Sequence, residues 1–160
     1  MRFNLTLRSE QRGGRWASSK GANLVETAMV IPLLLLLTFA IIDFASLFYV
    51  YLALENGVSQ ATRYAVTGQF ANDPDPTLRA QAIRTAMRQA TPTLTISDGA
   101  FNFYNVTKAA SGTGGPNDII RVTVNYGWTA FTPLIRPFFT NGQIQLSVSS
   151  TMKNEPFPSS

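Results

Sequence analysis

The chain of 160 residues contains no cysteine and no histidine. The first absence excludes a disulfide framework and any thiolate metal site. The second removes imidazole ligands and histidine-based acid–base chemistry. Charge is also scarce, at 14% of residues, and it is unevenly placed. Residues 1–20 hold Arg2, Arg8, Arg12, Arg15 and Lys20 against Glu10 alone, which accounts for the whole formal net charge of +4. The remainder is balanced, with eight basic and eight acidic residues. The basic balance is therefore no sign of nucleic-acid binding. Positive charge directly before an apolar run is the asymmetry of a membrane protein with its N-terminus in the cytoplasm.

Residues 28–54 form that run, from Ala28-Met-Val-Ile-Pro32 through Leu33–Leu37 to Tyr49-Val-Tyr51 and Leu54. As a helix they extend about 40 Å at about 1.5 Å per residue, whereas a bilayer core needs only about 20 apolar residues. The helix is expected to cross the membrane once and protrude beyond it, with Tyr49 and Tyr51 in the outer interfacial belt. A cleaved secretory signal has an apolar region of only about 7–15 residues, so a retained anchor is the better reading. Pro32 removes one backbone donor inside the helix and predicts a kink near residues 28–32.

Two carboxylates interrupt the apolar character. Glu26 stands at its mouth, five residues after Gly21, and Asp43 lies seventeen residues further on. Such acids are costly in a membrane helix and usually face protein. Glu26 has two readings: a negative charge suited to the helix dipole, or a group with a partner. Asp43 likewise reads either as a carboxylate in wet headgroups or as a contact with a partner helix or basic group.

Residues 55–69 extend the helix, with an apolar stripe of Val58, Ala61, Ala65 and Val66 and a terminus at Gly68. Asn72-Asp-Pro-Asp-Pro76 reads as a turn. Asp75 caps a second helix, about 77–90, with Pro76 at its first position. Leu78, Ala82, Ile83, Ala86 and Met87 make its apolar face, and Arg79, Arg84 and Arg88 are expected elsewhere on the surface. The Asp73/Asp75 pair lacks the spaced oxygen ligands of a calcium loop.

Strands are expected at 94–97, 100–107, 119–126 and 143–152, the clearest alternations being Ile120/Val122/Val124/Tyr126 and Ile144/Leu146/Val148. Residues 109–118 read as a flexible hairpin loop, not a phosphate cradle. Residues 128–139 are an apolar excursion expected to pack on the long helix. The fold class is α+β. The expected divisions are a basic leader over 1–21, a transmembrane and stalk helix over 22–69, and an extracytoplasmic domain over 70–160 with a second helix and an antiparallel sheet of three to four strands. No nucleophile–base motif such as Gly-x-Ser-x-Gly stands out. Neither an enzyme, a small-molecule substrate, a cofactor nor a metal is expected.

Gly21 and Glu26, with Lys20 before them and the apolar helix after, resemble the processing site of type IV pilin-like proteins. That resemblance implies a prepilin peptidase cutting after Gly21, so that Ala22 becomes the new N-terminus and Glu26 helps seat the subunit in a filament. The wider stretch, Gly21-Ala-Asn-Leu-Val-Glu-Thr-Ala-Met-Val-Ile-Pro32 through Ile41-Ile-Asp-Phe44, resembles the TadE/TadG family of the tight-adherence (Flp) pilus machinery. Ala61-Thr-Arg-Tyr-Ala65 and Met152-Lys-Asn-Glu155 do so as well. The resemblance implies a minor pilin or pseudopilin in the bacterial inner membrane, with other pilin-like subunits as partners. It also favours the partner reading for Asp43. If Ala22 acquires a free amine, Glu26 of a neighbouring subunit can pair with it, and a desolvated pair of this kind favours one register. An uncleaved, TadG-like envelope anchor is the alternative. Thr27, standing where major Flp pilins usually carry tyrosine, and the long leader both point toward it.

Overall fold

A computed structural model describes residues 19–157, apart from 72, 74 and 134. The basic leader expected over 1–21 therefore lies almost wholly outside the described residues. The described part opens on helix α1, Ser19–Val66. Helix α2 follows at Pro76–Ala90. Four strands complete the fold: β1 (Phe101–Asn105), β2 (Ala110–Ser111), β3 (Ile119–Thr129) and β4 (Gln143–Lys153). They form one antiparallel sheet in the order β2-β1-β3-β4. The fold is α+β, as the residue patterns predict.

Two compact units divide between Thr38 and Phe39, inside α1. In the first unit every described side chain from Gly21 to Thr38 is exposed. The second unit holds the core. Its helical contribution is a stripe at three- and four-residue spacing: Asp43, Val50, Leu54, Val58, Ala61, Thr62 and Ala65 are all buried. One face of a helix recurs at this spacing. The stripe meets Ile83 and Met87 of α2 and Ile120, Val122, Val124, Trp128 and Val148 of the sheet. Each fully buried aliphatic side chain in it contributes about 1.5–3 kcal/mol.

The continuous helix conceals a change of environment. The apolar run 28–54 looks uniform in sequence, yet Val50 and Leu54 belong to the core. From Gly21 to Ile42 every residue of α1 is exposed, with Glu26 the only charge; beyond that point one face is covered while Phe44, Phe48, Tyr49 and Leu52 stay exposed. The 22 residues from Gly21 to Ile42 extend about 33 Å as a helix, close to the roughly 30 Å hydrocarbon thickness of a bilayer.

Local chemistry sets the helix ends. Gly68, with φ of +71°, follows the end of α1 in the left-handed region that glycine occupies without penalty. Asp75 caps α2: its Oδ1 accepts from Thr77 N at 2.8 Å and from Thr77 Oγ1 at 2.7 Å. These bonds, the hydroxyl's first, hold the Asp75 carboxyl below the usual carboxylate range. Gly57 has a different task. A Cβ there would come within 2.5 Å of Thr91 Cγ2, so the absent side chain lets the end of α2 approach α1.

Four sequence expectations are corrected. Residues 94–97 form no strand; they lead into the 3-10 turn Asp98–Ala100. The loop at 109–118 is partly regular, because Ala110–Ser111 pairs with Tyr104 and Asn105 as an edge strand. The excursion at 128–139 is split. Trp128 and Ala130 are buried, whereas Phe131 and Phe138 are exposed. The arginines of α2 do not point away from the fold. The Cζ atoms of Arg79, Arg84 and Arg88 lie 5.0, 5.6 and 5.7 Å from the ring centroids of Phe157, Phe103 and Phe101. Guanidinium planes over aromatic faces combine cation–π attraction with burial of the methylene stem.

Candidate functional site

In the first unit, the Gly21–Ala22 peptide bond lies within the helical backbone of α1. Gly21 is exposed, and a Cβ placed on it would meet no described atom within 4 Å. Glu26 is exposed on α1, five residues after Gly21. Pro32 lies inside α1, which continues through it.

In the second unit, Asp43 is 1% exposed. Its Oδ1 accepts from Thr132 N at 3.0 Å, and its Oδ2 accepts from the Thr132 hydroxyl. A buried carboxylate is tolerated when its lone pairs are met this way. Both donors come from one threonine of the same chain, not from the partner helix or basic group that the sequence reading considered. Next along the helix, Ser46 Oγ accepts from Trp128 Nε1 at 3.1 Å. Two polar ties therefore fasten the end of β3 and the connection after it to adjoining turns of α1.

The far end of α1 is closed by residues distant in sequence. Arg79 donates from Nη2 to Ala65 O at 2.9 Å and from Nη1 to Gly114 O. Glu155 N donates to Val66 O at 3.0 Å. Ala65 O and Val66 O belong to the last turn of α1, whose carbonyls have no intrahelical donor. A cation there also suits the helix dipole. Burial lowers the Arg79 pKa, yet a guanidinium starts so high that it keeps its charge. Asn154, 2% exposed, donates from Nδ2 to Gly115 O at 2.8 Å and Thr113 O at 3.3 Å. The segments 61–65 and 152–155, singled out separately in the sequence, thus come together at one helix end.

Beside them, Asp118 accepts from Gly115 N at 2.8 Å and from Asn105 Nδ2 at 2.8 Å, with Lys108 Nζ at 3.4 Å. The Gly115 N–H, then the Asn105 amide and Lys108, hold its carboxyl below the usual range against the opposing cost of burial. Sequence reasoning gave no role to Thr132, Arg79 or Asp118, and met Asn154 only as part of Met152-Lys-Asn-Glu155. Of the first three only Arg79 carried a usable signal, as a charge close to an apolar helix face.

Among the described residues, no group of three or more acidic side chains is placed to hold a metal ion. Ser150-Thr-Met-Lys153 has the spacing of a serine–lysine pair, but it lies on β4, where an offset of three points side chains to opposite faces. The Gly21–Val66 helix is the one candidate membrane span among the described residues.

No curated protein and no solved structure matches the chain. Residues 21–63, from the Gly21–Ala22 bond through Glu26 and Asp43 to the core-forming turns of α1, match the family model of TadE-like proteins, the family that the sequence resemblance names.

Proposed function

We propose that this chain is a minor pilin or pseudopilin-like subunit in the assembly of a tight-adherence (Flp) pilus. A TadE-like segment implies a role in Tad pilus assembly. The observation that carries the finer reading is the uncovered apolar stretch to Ile42, which holds Glu26 as its single charge and begins at the Gly21–Ala22 bond. Before assembly this stretch is stored in the bacterial inner membrane, with the N-terminus cytoplasmic and the sheet domain outside. A prepilin peptidase cuts after Gly21 and frees the Ala22 amine, which is protonated at neutral pH. In the assembled state the apolar surface buries against neighbouring pilin-like subunits. Glu26 of one subunit then pairs with the Ala22 amine of another, and a shifted register leaves both charges unpaired. The chain is acted on by an enzyme and performs no catalysis of its own.

A second reading is an uncleaved, TadG-like envelope anchor. The helical conformation of the Gly21–Ala22 bond favours it, since cleavage requires the helix to unwind there. The intact mass of the membrane-extracted chain, expressed with and without the cognate prepilin peptidase, separates the two. A peptidase-dependent chain beginning at Ala22 supports the pseudopilin. A full-length chain under both conditions overturns it.

A further inference from the structure

The connection between β3 and β4 carries the two most exposed aromatic side chains of the second unit, Phe131 at 76% and Phe138 at 83%. A single exposed phenylalanine needs no explanation. Two on one connection, each this free, do. The connection is also firmly held. Thr132, next to Phe131, is bonded through both N and Oγ1 to Asp43. Arg136 Nε donates to Ala130 O at 3.0 Å, and the 3-10 turn Arg136–Phe138 presents Phe138.

The attachment point decides what covers these rings. Asp43 is the first buried residue of α1, where one face of the helix turns to the core. Phe39, Ile41 and Ile42 before it and Phe44, Phe48 and Tyr49 after it, in the same compact unit, are exposed hydrophobics. Thr132 is therefore level with the outer part of the exposed apolar surface. From Phe39 to Asp43 is only about 6 Å along the axis. Tyr49, Trp128 and Phe131 line an open groove of about 370 Å³ over the next turns. Aromatic rings at this level have the placement of an interfacial belt, where an apolar ring and a wet surface meet.

We propose that Phe131 and Phe138 insert into the headgroup–acyl boundary of the bilayer that α1 crosses, with the Asp43–Thr132 bonds setting their depth. The occupant of the exposed patch is lipid. The inference rests on the membrane reading of α1 and is independent of cleavage at Gly21. It gives Asp43 a role within the chain: a carboxylate at the water-facing edge of the span that latches a lipid-contacting connection to the helix.

Because the chain has no cysteine, single reporters are clean. Full-length Phe131→Cys, Phe138→Cys, Leu34→Cys and Ser111→Cys variants are labelled with a nitroxide. They are reconstituted into vesicles of phosphatidylethanolamine and phosphatidylglycerol. Accessibility to oxygen, which partitions into lipid, is compared with that to a water-soluble nickel chelate. The expected result is a lipid-like, oxygen-dominated signal at Leu34, an aqueous signal at Ser111, and labels at 131 and 138 about 5–10 Å inside the boundary. Aqueous signals at 131 and 138 with Leu34 still in lipid overturn this inference and leave the anchor intact. An aqueous Leu34 removes the membrane reading as well. Protection from both reagents at 131 and 138 that grows with protein density assigns the patch to a second copy and overturns the lipid contact.

Discussion

Asp43 and Thr132, 89 residues apart, form a two-point latch in which both carboxylate oxygens accept from one residue. The latch joins the long helix to the connection between the last two strands. In sequence, Asp43 is a charge stranded in an apolar run. In the fold it is the first buried residue of that run, where one face of the helix turns to the core while Phe44, Phe48, Tyr49 and Leu52 beyond it stay exposed.

Asp43→Ala is expected to leave the Thr132 N–H and hydroxyl without their acceptor and to destabilise the outer unit by about 1–3 kcal/mol. Asp43→Asn keeps one acceptor and loses less. Thermal unfolding in detergent, followed by circular dichroism, measures both. A double-mutant cycle with Thr132→Val gives a coupling of about 0.5–3 kcal/mol. A coupling of zero denies the latch.

Arg79→Lys is expected to behave as a damaging change. The guanidinium reaches two carbonyls and covers the Phe157 ring at once. An ammonium is a point donor without the planar fork. Hydrogen bonds to charged groups are worth about 1.5–3 kcal/mol, so a loss of about 2 kcal/mol is expected on denaturant unfolding. Arg63, exposed in the last turn of α1, supplies the control: Arg63→Lys changes stability by less than about 0.5 kcal/mol.

The Asp118 hydrogen bonds make stability depend on acid pH. The folded-state pKa lies below the value in the unfolded chain, so ionised Asp118 favours the fold. Its contribution is fully present above the unfolded value of about 3.9. It is lost as pH falls through the lower folded value. Asp75 and Asp98 shift in the same direction, so the wild-type curve alone does not isolate Asp118. Asp118→Asn does. The melting temperature of the variant should lie below wild type at neutral pH, and the gap should narrow below about pH 4. A constant gap down to the most acid point refutes the assignment.

Gly21→Leu is expected to block processing, because a branched side chain then stands beside the scissile bond. Immunoblotting for the shortened chain reads this out, and normal processing refutes the site. Glu26→Ala is expected to insert in the membrane normally and to impair pilus assembly. Normal piliation in that strain reduces Glu26 to a surface charge on the helix.

Much of this protein is legible from short stretches of chain. The apolar run writes α1, Gly68 marks its end, and Asp75-Pro76 starts α2, because each needs only neighbours a few residues away. Alternation at Ile120, Val122 and Val124 names the core face of β3 for the same reason. Residues 94–97 misled because β-branched and apolar residues also fill a turn that packs against a core: Ile96 is buried there, and its carbonyl accepts from Arg88 Nε at 3.0 Å and Nη2 at 2.8 Å. The arginines of α2 were unreadable as packing groups because the rings they cover come from β1 and the C-terminal segment.

The candidate site divides along the same line. Gly21, Ala22 and Glu26 are recognisable in order along the chain, since a leader, a small residue and an acid before an apolar helix form a linear pattern. Where the uncovered helix ends is not linear information. Leu33–Leu37 and Val50–Leu54 have similar side chains, and hydropathy does not distinguish a residue facing lipid from one facing a sheet. That difference was decided by tertiary contacts: strands arriving some 80 residues later bury Val50 and Leu54 and leave Leu33–Leu37 bare, and Asp43 finds its donors only when Thr132 is folded against it.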